Sequence, residues 1–520
     1  MSLPELFSRK DHNIAAALLF VTILAGCGVS PTPTSTTRLI EPWLGLLPAS
    51  QEKSEPSQLS PEQNQGIPSL PLAVLGTPTP DPFREPPQTR TEAETYIVQP
   101  GDSLNSIAIR FGVSANQISR ANAIYNPEIL SVWQALYIPA PEPQQPGPTH
   151  KIIPNSELVF GPANIYVDIY SVVDHWYGYL RGYVEEVEGG DISGAGIIHL
   201  VARRYSVNPL LLLGLLEYQG GWLTQQEPPP QSRLYPMGYV AYGWEGLFPQ
   251  LSWAADQLNL GFYRWRADWS GPFALTDGDV INPGLGINAG TAGVQQLFSQ
   301  LYPAEVWRQV VGEVGFALTY ADLFGDPFER RVEPLQPTDL KQPILQLPIE
   351  DGLIWSFTGG PHSAWGNYAG WAGLDFAPPG NVFGCTVSNE WVVAAAEGLV
   401  VRAENGEVLL DLDGDGHEQT GWVLQYMHIE ARHRVEAGTY MQAGDLIGHP
   451  SCEGGVATGT HLHLARKYNG EWIPADGPIP FEMDGWVSSG AGWPYDGYLS
   501  KGSVVLEACA CRNEFNQISR

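Results

Sequence analysis

The chain has 520 residues, which is too long for a single hydrophobic core, and 43% of them are hydrophobic, as is usual for globular domains. It carries 27 basic and 56 acidic residues, and the formal net charge of −29 would repel nucleic acids and anionic membrane surfaces. Length and charge therefore predict a multidomain protein and exclude recognition of DNA or RNA as its function.

The first 27 residues have the pattern of an export signal. Arg9 and Lys10 precede an apolar run over residues 14–25, which is too short to span a membrane comfortably. The run ends in Leu-Ala-Gly-Cys at 24–27, which resembles the lipobox of bacterial lipoproteins. This resemblance implies cleavage before Cys27 and a lipid anchor on that cysteine at the outer face of the cell membrane. The alternative is a secretory signal with an incidental cysteine, and both predict export.

Proline-rich segments divide the rest of the chain. Residues 28–94 are rich in Pro, Ser, Thr, Gln and Glu, bury too little apolar surface to offset the entropy of ordering, and are predicted to form a disordered tether. Two proline-containing linkers follow at 141–155 and 334–348. The predicted domains are therefore 95–140, 156–333 and 349–520.

The first predicted domain, at 95–140, is compact. A short strand, a turn, a helix capped by Asp102 or Ser103, a second helix over 114–122 and a strand over 135–139 give a βααβ unit. With its opening Val-Gln-Pro-Gly-Asp-Ser-Leu at 98–104, the unit resembles a lysin motif (LysM) module. That family binds the N-acetylglucosamine units of glycans, and a different small βααβ domain is the alternative.

The second predicted domain contains helical patterns at 194–205, 209–219, 251–265 and 292–301. We therefore expect it to be mainly α-helical.

One helical segment of this domain, at 205–222, contains a candidate acid. Asn208 and Pro209 begin an apolar helix that ends at Glu217 before Gly-Gly, and an apolar wall beside a carboxyl can raise its pKa enough for acid catalysis. This segment resembles the catalytic-glutamate helix of lytic transglycosylases and other lysozyme-like domains, and residues 288–297 resemble a later helix of that fold. The serine that usually follows the glutamate is Tyr218 here, so a binding or scaffolding domain is the alternative.

The third predicted domain alternates short apolar segments with glycine-rich turns, for example at 391–401, 408–412 and 422–428, which predicts an antiparallel β-sheet domain. It also holds four of the 11 histidines in a set with one aspartate: His362, Asp375, His428, His461 and His463. Residues two apart on a strand point to the same side, so His461 and His463 can reach one small volume. Three N/O ligands with an open position for water are typical of a catalytic zinc site.

The motifs around these residues, Gly-Gly-Pro-His, Leu-Asp-Phe-Ala-Pro, Tyr-Met-His and Gly-Thr-His-Leu-His, resemble those of zinc endopeptidases of the lysostaphin and β-lytic type. The resemblance covers residues 354–476. It implies that His362, Asp375 and His463 bind Zn²⁺ and that His461 and His428 act as general base and as stabiliser of the tetrahedral oxyanion. The lysostaphin branch has its first histidine where this chain has Trp371. His362 stands where the β-lytic branch has it, after Gly-Gly-x, so we expect an intact site.

Other polar residues of this domain have weaker patterns. Asp411, Asp413 and Asp415 form Asp-Leu-Asp-Gly-Asp-Gly, but position 422 is Trp where a calcium-binding EF-hand needs Glu, which favours a solvated hairpin turn. The four cysteines beyond Cys27 are Cys385, Cys452, Cys509 and Cys511, an even number that favours two disulfides in an exported protein. Because adjacent pairing would be strained, we expect Cys509 and Cys511 each to bridge to Cys385 or Cys452.

The patterns predict a multidomain α+β protein with a βααβ unit, a mainly α-helical domain and an antiparallel β-sheet domain, and the resemblances imply that these are a LysM module, a lysozyme-like domain and a metallopeptidase domain. The hypothesis is an exported, lipid-anchored peptidoglycan hydrolase that binds glycan and cleaves peptide cross-links, with additional glycan cleavage if Glu217 is active. The rival hypothesis is a non-catalytic wall-binding protein that docks or activates other hydrolases. Retention of all five site positions favours the enzyme.

Overall fold

The computed structural model describes residues 90–99, 102–126, 130–141, 145–267, 271–380 and 384–520. The predicted export signal, Cys27 and nearly all of the predicted tether lie outside the described residues. Within the described ranges, none of the helices combines the length and the apolar character that crossing a membrane requires.

The first folded unit has the predicted βααβ order. Its elements are β1 (Glu94–Ile97), α1 (Leu104–Phe111), α2 (Ala115–Ala121) and β2 (Ala135–Ile138), and β1 pairs antiparallel with β2. The side chains of Ser114 and Gln117 each accept a hydrogen bond from the backbone N–H of the other, which fixes the start of α2. Ile107, Ile118 and Leu136 are buried in a small core of this unit.

The second domain is mainly helical, as predicted. Its helices are α3 (Ile169–Trp176), α4 (Gly194–Tyr205), α5 (Pro209–Gly220), α6 (Pro230–Leu234), α7 (Leu247–Arg266), α8 (Ala289–Ser299), α9 (Ala304–Val310) and α10 (Phe316–Phe324). Two hairpins accompany them, β3 (Val184–Val187) with β4 (Gly190–Ser193), and β5 (Phe273–Ala274) with β6 (Val280–Ile281).

Helix α5 lies at the centre of this domain because its side chains are apolar on every face and the run from 210 to 216 is buried. It begins where the side chain of Asn208 accepts a hydrogen bond from Leu210 N, with Pro209 in the first turn, and it ends at Gly221, whose φ is +67°. Its sequence therefore specifies both of its ends.

The C-terminal domain is built from antiparallel strands, as predicted. They are β7 (Trp355–His362), β8 (Gly373–Ala377), β9 (Val392–Val393), β10 (Gly398–Glu404), β11 (Glu407–Asp411), β12 (Trp422–Met427), β13 (Tyr440–Met441), β14 (Leu446–Gly448), β15 (Leu462–Tyr468), β16 (Glu471–Trp472), β17 (Glu482–Met483), β18 (Trp486–Gly490), β19 (Gly497–Lys501), β20 (Val504–Glu507) and β21 (Gln517–Ile518). The main sheet has the order β13-β10-β11-β12-β15-β8-β7-β21, with β16 beside β15. Strands β17 to β20 form a second sheet, and β9 pairs with β14.

The helical domain and the β-sheet domain share buried surface. The core of the helical domain includes five residues of the β-sheet domain, Ala364, Ala369, Ala372, Ala465 and Trp472. Trp472 is 1% exposed, and its backbone N–H donates to the Tyr263 hydroxyl at 2.9 Å. Two segments of the β-sheet domain therefore pack into the core of the helical domain: the loop between β7 and β8, and the turn between β15 and β16.

All four predicted cysteines form disulfides, but the expected pairing was wrong. Cys385 is bonded to Cys452, and Cys509 is bonded to Cys511. The chain turns tightly after β20, where Cys511 N donates to Cys509 O and brings the two Cα atoms to 5.0 Å. This local turn allows the adjacent pairing, in place of the expected bridges from Cys509 and Cys511 to Cys385 and Cys452.

The three aspartates of the Asp-Leu-Asp-Gly-Asp-Gly segment lie in the turn between β11 and β12. The Asp411 carboxylate accepts hydrogen bonds from the backbone nitrogens of Gly414 and Gly416. Asp413 and Asp415 are exposed there. The calcium alternative gains no support beyond the proximity of these carboxylates.

Candidate metal centre

Adjacent strands of the main sheet bring the predicted ligands together. His362 ends β7, Asp375 lies in β8 and His463 lies in β15, in the order β15-β8-β7. Asp375 is the register partner of His463, and His362 is the partner of Gly373. Residues far apart in sequence therefore meet because of strand pairing.

The nitrogen and oxygen atoms of these side chains converge. His463 Nδ1 lies 2.9 Å from His362 Nε2 and 3.0 Å from Asp375 Oδ1, and His362 Nε2 lies 3.2 Å from the same oxygen. Burial by itself would raise the pKa of Asp375, but His362 and the hydrogen bond from His463 outweigh it and hold the pKa well below its usual range. Burial lowers the pKa of His463. The arrangement joins an ionised carboxylate to two imidazoles.

Backbone carbonyl oxygens orient three of the four histidines. Hydrogen bonds join the Nδ1 atoms of His362, His428 and His461 to the carbonyl oxygens of Gly360, Glu453 and Gly459, at 2.7, 3.0 and 2.7 Å. Since a carbonyl oxygen only accepts, each Nδ1 carries the hydrogen and each Nε2 has a free lone pair in the neutral ring. These histidines are oriented to present Nε2 as a ligand or a base.

His428 and His461 lie beside the three ligand candidates. Their ring centroids are 4.4 Å apart, and His461 Nε2 lies 3.7 Å from Asp375 Oδ1. Burial and the neighbouring His461 and His463 lower the pKa of His428 to about 3, so its ring is neutral at physiological pH. His428 also has a φ of +62°, a left-handed conformation that is uncommon outside glycine and is concentrated at functional sites. The structure thus brings all five predicted residues together.

Glycines leave the space that these side chains occupy. A Cβ at Gly373 would lie 2.2 Å from His463 Cε1, and one at Gly359 would lie 2.6 Å from Asp375 Oδ2. The site contains Tyr495 as well, which sequence reasoning missed; its ring stacks on His362 with centroids 4.1 Å apart. Tyr495 comes from the loop between β18 and β19, and no motif in the sequence marks it.

The donor set fits a divalent metal ion. His362, Asp375 and His463 offer two nitrogens and one oxygen within 4.8 Å of one another, and all three side chains are buried. Three such ligands are typical of catalytic metal sites that keep a further position for water. Trp371 is not part of this set; its carbonyl oxygen accepts a hydrogen bond from Ala475 N.

The predicted acid of the helical domain lies at the end of α5, as expected, but its carboxylate is engaged locally. Glu217 Oε2 accepts hydrogen bonds from Leu223 N and Thr224 N at 2.8 and 3.1 Å, and Oε1 accepts one from the Thr224 hydroxyl. These contacts close the turn that follows the helix. They give Glu217 a structural role whatever its chemistry.

Sequence models of three families match this chain. The LysM domain matches residues 96–139, the N-terminal domain of LasA matches residues 151–338, and peptidase family M23 matches residues 371–474. The M23 match contains Asp375, His428, His461 and His463 but begins after His362. The strand pairing described above is what places His362 with them.

Individual proteins match over parts of the chain. Protease LasA of Pseudomonas aeruginosa is 26% identical over 336 residues, which are 60% of this chain and 75% of that protein. The β-lytic metalloendopeptidase of Achromobacter lyticus is 27% identical over 167 residues, which are 30% of this chain and 41% of that protein. A solved structure of pseudoalterin, an M23 metalloprotease from the deep sea, is 22% identical and covers 34% of this chain and 99% of its own, with a TM-score of 0.28.

Proposed function

We propose that this chain, whose C-terminal domain belongs to peptidase family M23, is a zinc endopeptidase that hydrolyses the peptide cross-links of bacterial peptidoglycan. The observation that carries the proposal is the convergence of His362, Asp375 and His463 beside His428 and His461. The matches to protease LasA and to a β-lytic metalloendopeptidase support peptide-bond hydrolysis.

The three ligand residues and the two further histidines have different roles in the proposed hydrolysis. Zinc held by His362, Asp375 and His463 would act as a Lewis acid and lower the pKa of a bound water towards neutrality. His461 and His428 present Nε2 lone pairs beside this set, so one can take a proton and the other, once protonated, can donate a hydrogen bond to the oxyanion. Their carbonyl partners keep the hydrogen of each neutral ring on Nδ1, so each Nε2 must accept a proton before it can donate one.

The LysM module would bind the enzyme to its substrate. The family match at residues 96–139 supports binding to the glycan strands of peptidoglycan, which would keep the peptidase near their cross-links. We also propose that the export signal and a lipid on Cys27 place the protein at the outer face of the cell membrane. These residues lie outside the described part of the chain.

Glycan cleavage by a lysozyme-like helical domain stays a prediction. The local hydrogen bonds of Glu217 favour the alternative of a binding or scaffolding domain, since they engage both carboxylate oxygens within the turn that follows the helix. An assay for anhydro-sugar ends with the chain and its Glu217→Gln variant separates the two. Release of such ends by the chain but not by the variant would establish cleavage.

The test of the peptidase uses the full chain and purified peptidoglycan, with release of new amino termini as the readout. We expect release to stop with a chelator, to return with added Zn²⁺ and to be lost in His463→Ala. His175→Ala, which changes an exposed histidine of the helical domain, should retain full activity. Release that survives both the chelator and His463→Ala would refute the zinc mechanism. Binding to peptidoglycan without any release would favour the non-catalytic wall-binding protein.

A further inference from the structure

A shallow cleft of about 720 Å³ lies on the surface of the helical domain. It runs between helix α3 and the start of α4, and neither Glu217 nor the residues of the candidate metal centre line it. Its lining includes side chains that can stack on a ligand or form hydrogen bonds with it: Tyr170, Ser171, Asp174, Tyr177, Arg181 and Ser193. His175 also lies here, but its ring packs edge-on against that of Trp176, with centroids 5.4 Å apart. The cleft is therefore separate from the chemistry proposed above.

One side of α3 presents two aromatic rings with a carboxylate between them. Tyr170, Asp174 and Tyr177 follow one another at intervals of about one turn, so they share this side of the helix. Tyr170 is 54% exposed and Tyr177 is 58% exposed, whereas Ile169 and Val173 of the same helix are buried in the domain core. A rise of about 1.5 Å per residue places the Cα atoms of the two tyrosines roughly 10 Å apart. That distance is close to the length of two linked pyranose rings.

Arg181 joins the carboxylate to the second ring. Its Nε donates to Asp174 Oδ1 at 2.6 Å, and its guanidinium carbon lies 4.0 Å from the centroid of the Tyr177 ring. The side chains of Asp174 and Arg181 stay 61% and 41% exposed, and within the described ranges no hydrogen bond engages Asp174 Oδ2 or the Nη groups of Arg181. An acceptor and several donors are thus available to a ligand that lies across the two tyrosines.

The backbone fixes the second ring in place. Tyr177 has a φ of +55°, a left-handed conformation that glycine would adopt at less cost. The next residue, Gly178, is buried, and a Cβ there would lie 2.0 Å from Leu223 O. Leu223 belongs to the turn that the Glu217 carboxylate closes. An exposed aromatic side chain is therefore held in a costly conformation by a rigid support, a feature that is concentrated at functional sites.

A carbohydrate fits this arrangement. The faces of pyranose rings carry C–H groups that pack against aromatic rings, and the hydroxyl and acetamido groups at their edges form hydrogen bonds with carboxylate and guanidinium groups. An anionic polymer is disfavoured, because the chain has a net charge of −29. Strands of N-acetylhexosamines present both kinds of group along an extended chain, and the LysM module at residues 96–139 is expected to bind the same polymer.

We propose that this cleft is a second glycan-binding site, in which the rings of Tyr170 and Tyr177 stack on consecutive N-acetylhexosamine units and Asp174 and Arg181 bind the polar edges of these sugars. The proposal rests on peptidoglycan being the substrate, as proposed above. With the LysM module, the cleft gives the chain two contacts with one polymer, and the second contact forms intramolecularly once the first is made. The helical domain then acts as a binding domain.

The test counts the binding sites of the full-length chain for a soluble N-acetylglucosamine tetramer by isothermal titration calorimetry. We expect the Tyr170→Ala, Tyr177→Ala double variant to lose one site, and Tyr177→Ala alone to weaken that site about tenfold because one stacking ring is gone. The Tyr170→Phe, Tyr177→Phe double variant keeps both rings and should keep the site. The matched control Tyr242→Ala changes a fully exposed tyrosine elsewhere in the domain and should bind as the unmodified chain does. The same number of sites in the unmodified chain and in the alanine double variant would overturn the proposal.

A second measurement needs no substitution. Hydrogen exchange of the unmodified chain should slow at residues 168–181 when the tetramer is added, and unchanged exchange there would also overturn the proposal. Release of new amino termini from peptidoglycan is scored separately. A chain that binds the tetramer in the cleft but releases no amino termini would contradict the peptidase function alone, and a chain that releases them without binding in the cleft would contradict the second glycan site alone.

Discussion

The ring of His463 fits its place only because residue 373 is a glycine. A Cβ there would lie 2.2 Å from His463 Cε1, far inside contact distance, on a strand whose backbone is fixed by pairing. We therefore expect Gly373→Ala to displace the ring and to abolish both zinc binding and peptide release, measured as metal stoichiometry and as new amino termini. Gly182→Ala, where a Cβ meets no atom within 4 Å, is the matched control. Normal zinc content in Gly373→Ala would contradict this reading.

A disulfide supports the orientation of His428. Cys452 is bonded to Cys385, and the next residue, Glu453, supplies the carbonyl oxygen that fixes His428 Nδ1. Without the disulfide, the loop that carries Glu453 is no longer linked covalently to Cys385. The metal ligands on β7, β8 and β15 are still held by strand pairing.

We therefore expect the Cys385→Ser, Cys452→Ser double variant to bind zinc normally and to lose roughly tenfold in kcat, a fraction of what a positioned acid or base contributes. The Cys509→Ser, Cys511→Ser double variant removes the other disulfide and should leave kcat unchanged. Equal losses in the two double variants would show that the effect is general destabilisation and not the placement of His428.

The sequence predicted the five central residues because their types are chemically specific and they recur in short motifs. Tyr495 could not be found that way, since a tyrosine in a loop has many structural uses. Its place depends on a contact made after folding, with the ring of His362.

At the scale of elements, a buried charge cluster joins α4 to the main sheet. The Glu418 carboxylate receives Arg402 of β10 at 2.9 Å, Lys467 of β15 at 3.0 Å and Arg203 of α4 at 3.3 Å. Burial alone would raise the pKa of Glu418, but these three cations outweigh it and lower the pKa to about 2. Arg402 also pairs with Glu407 at 2.6 Å and Arg203 with Glu404 at 2.9 Å, whereas the ion pair of Lys467 is with Glu418.

Removing that charge should be costly. We expect Glu418→Gln to lower the free energy of unfolding by about 3–5 kcal/mol at pH 7, because it removes the carboxylate that pairs with the buried Lys467 and one of the two that pair with Arg402. Since the folded-state pKa is depressed from 4.5, the contribution of Glu418 is complete above pH 4.5 and is lost as pH falls towards 2. Urea unfolding at pH 7, 4 and 3 should therefore show that the difference in the free energy of unfolding between wild type and variant becomes smaller as the pH falls. The control variant Glu313→Gln, which changes an exposed residue, should have the same free energy of unfolding as the wild type at each pH.

Adjacent capping residues begin α4, α5 and α8, but the apolar pattern located the start of only the first two. Helix α4 has the predicted bounds because the Ser193 side chain caps its start, and α5 is bounded by Asn208 and Gly221. Helix α8 begins earlier than its apolar pattern indicated, since Asn288 caps it at Thr291 N. The predicted disulfide pairing was wrong because the observed pairing depends on a turn at 509–511 that no local sequence pattern indicates.

At the scale of the molecule, the peptidase and helical domains depend on each other. The turn between β15 and β16 packs against the helical domain. The Ser206 hydroxyl of that domain donates to Gly470 O at 2.7 Å, and its Arg266 forms an ion pair with Glu471 at 2.7 Å. The strand that carries His463 leads directly into this turn. Domain contacts of this kind could not be predicted from the sequence, which presents the two domains as separate patterns joined by a linker.

Separating these domains should therefore harm the peptidase. A segment of residues 345–520 would expose Trp472 and leave Glu471 without Arg266, so we expect it to unfold at a lower temperature than the full chain and to be cut faster by an added protease. A chain beginning at residue 145 is the matched truncation, because it removes the LysM module and keeps the shared core. It should unfold like the full chain, and an isolated peptidase segment of equal stability would mean that the shared core contributes little.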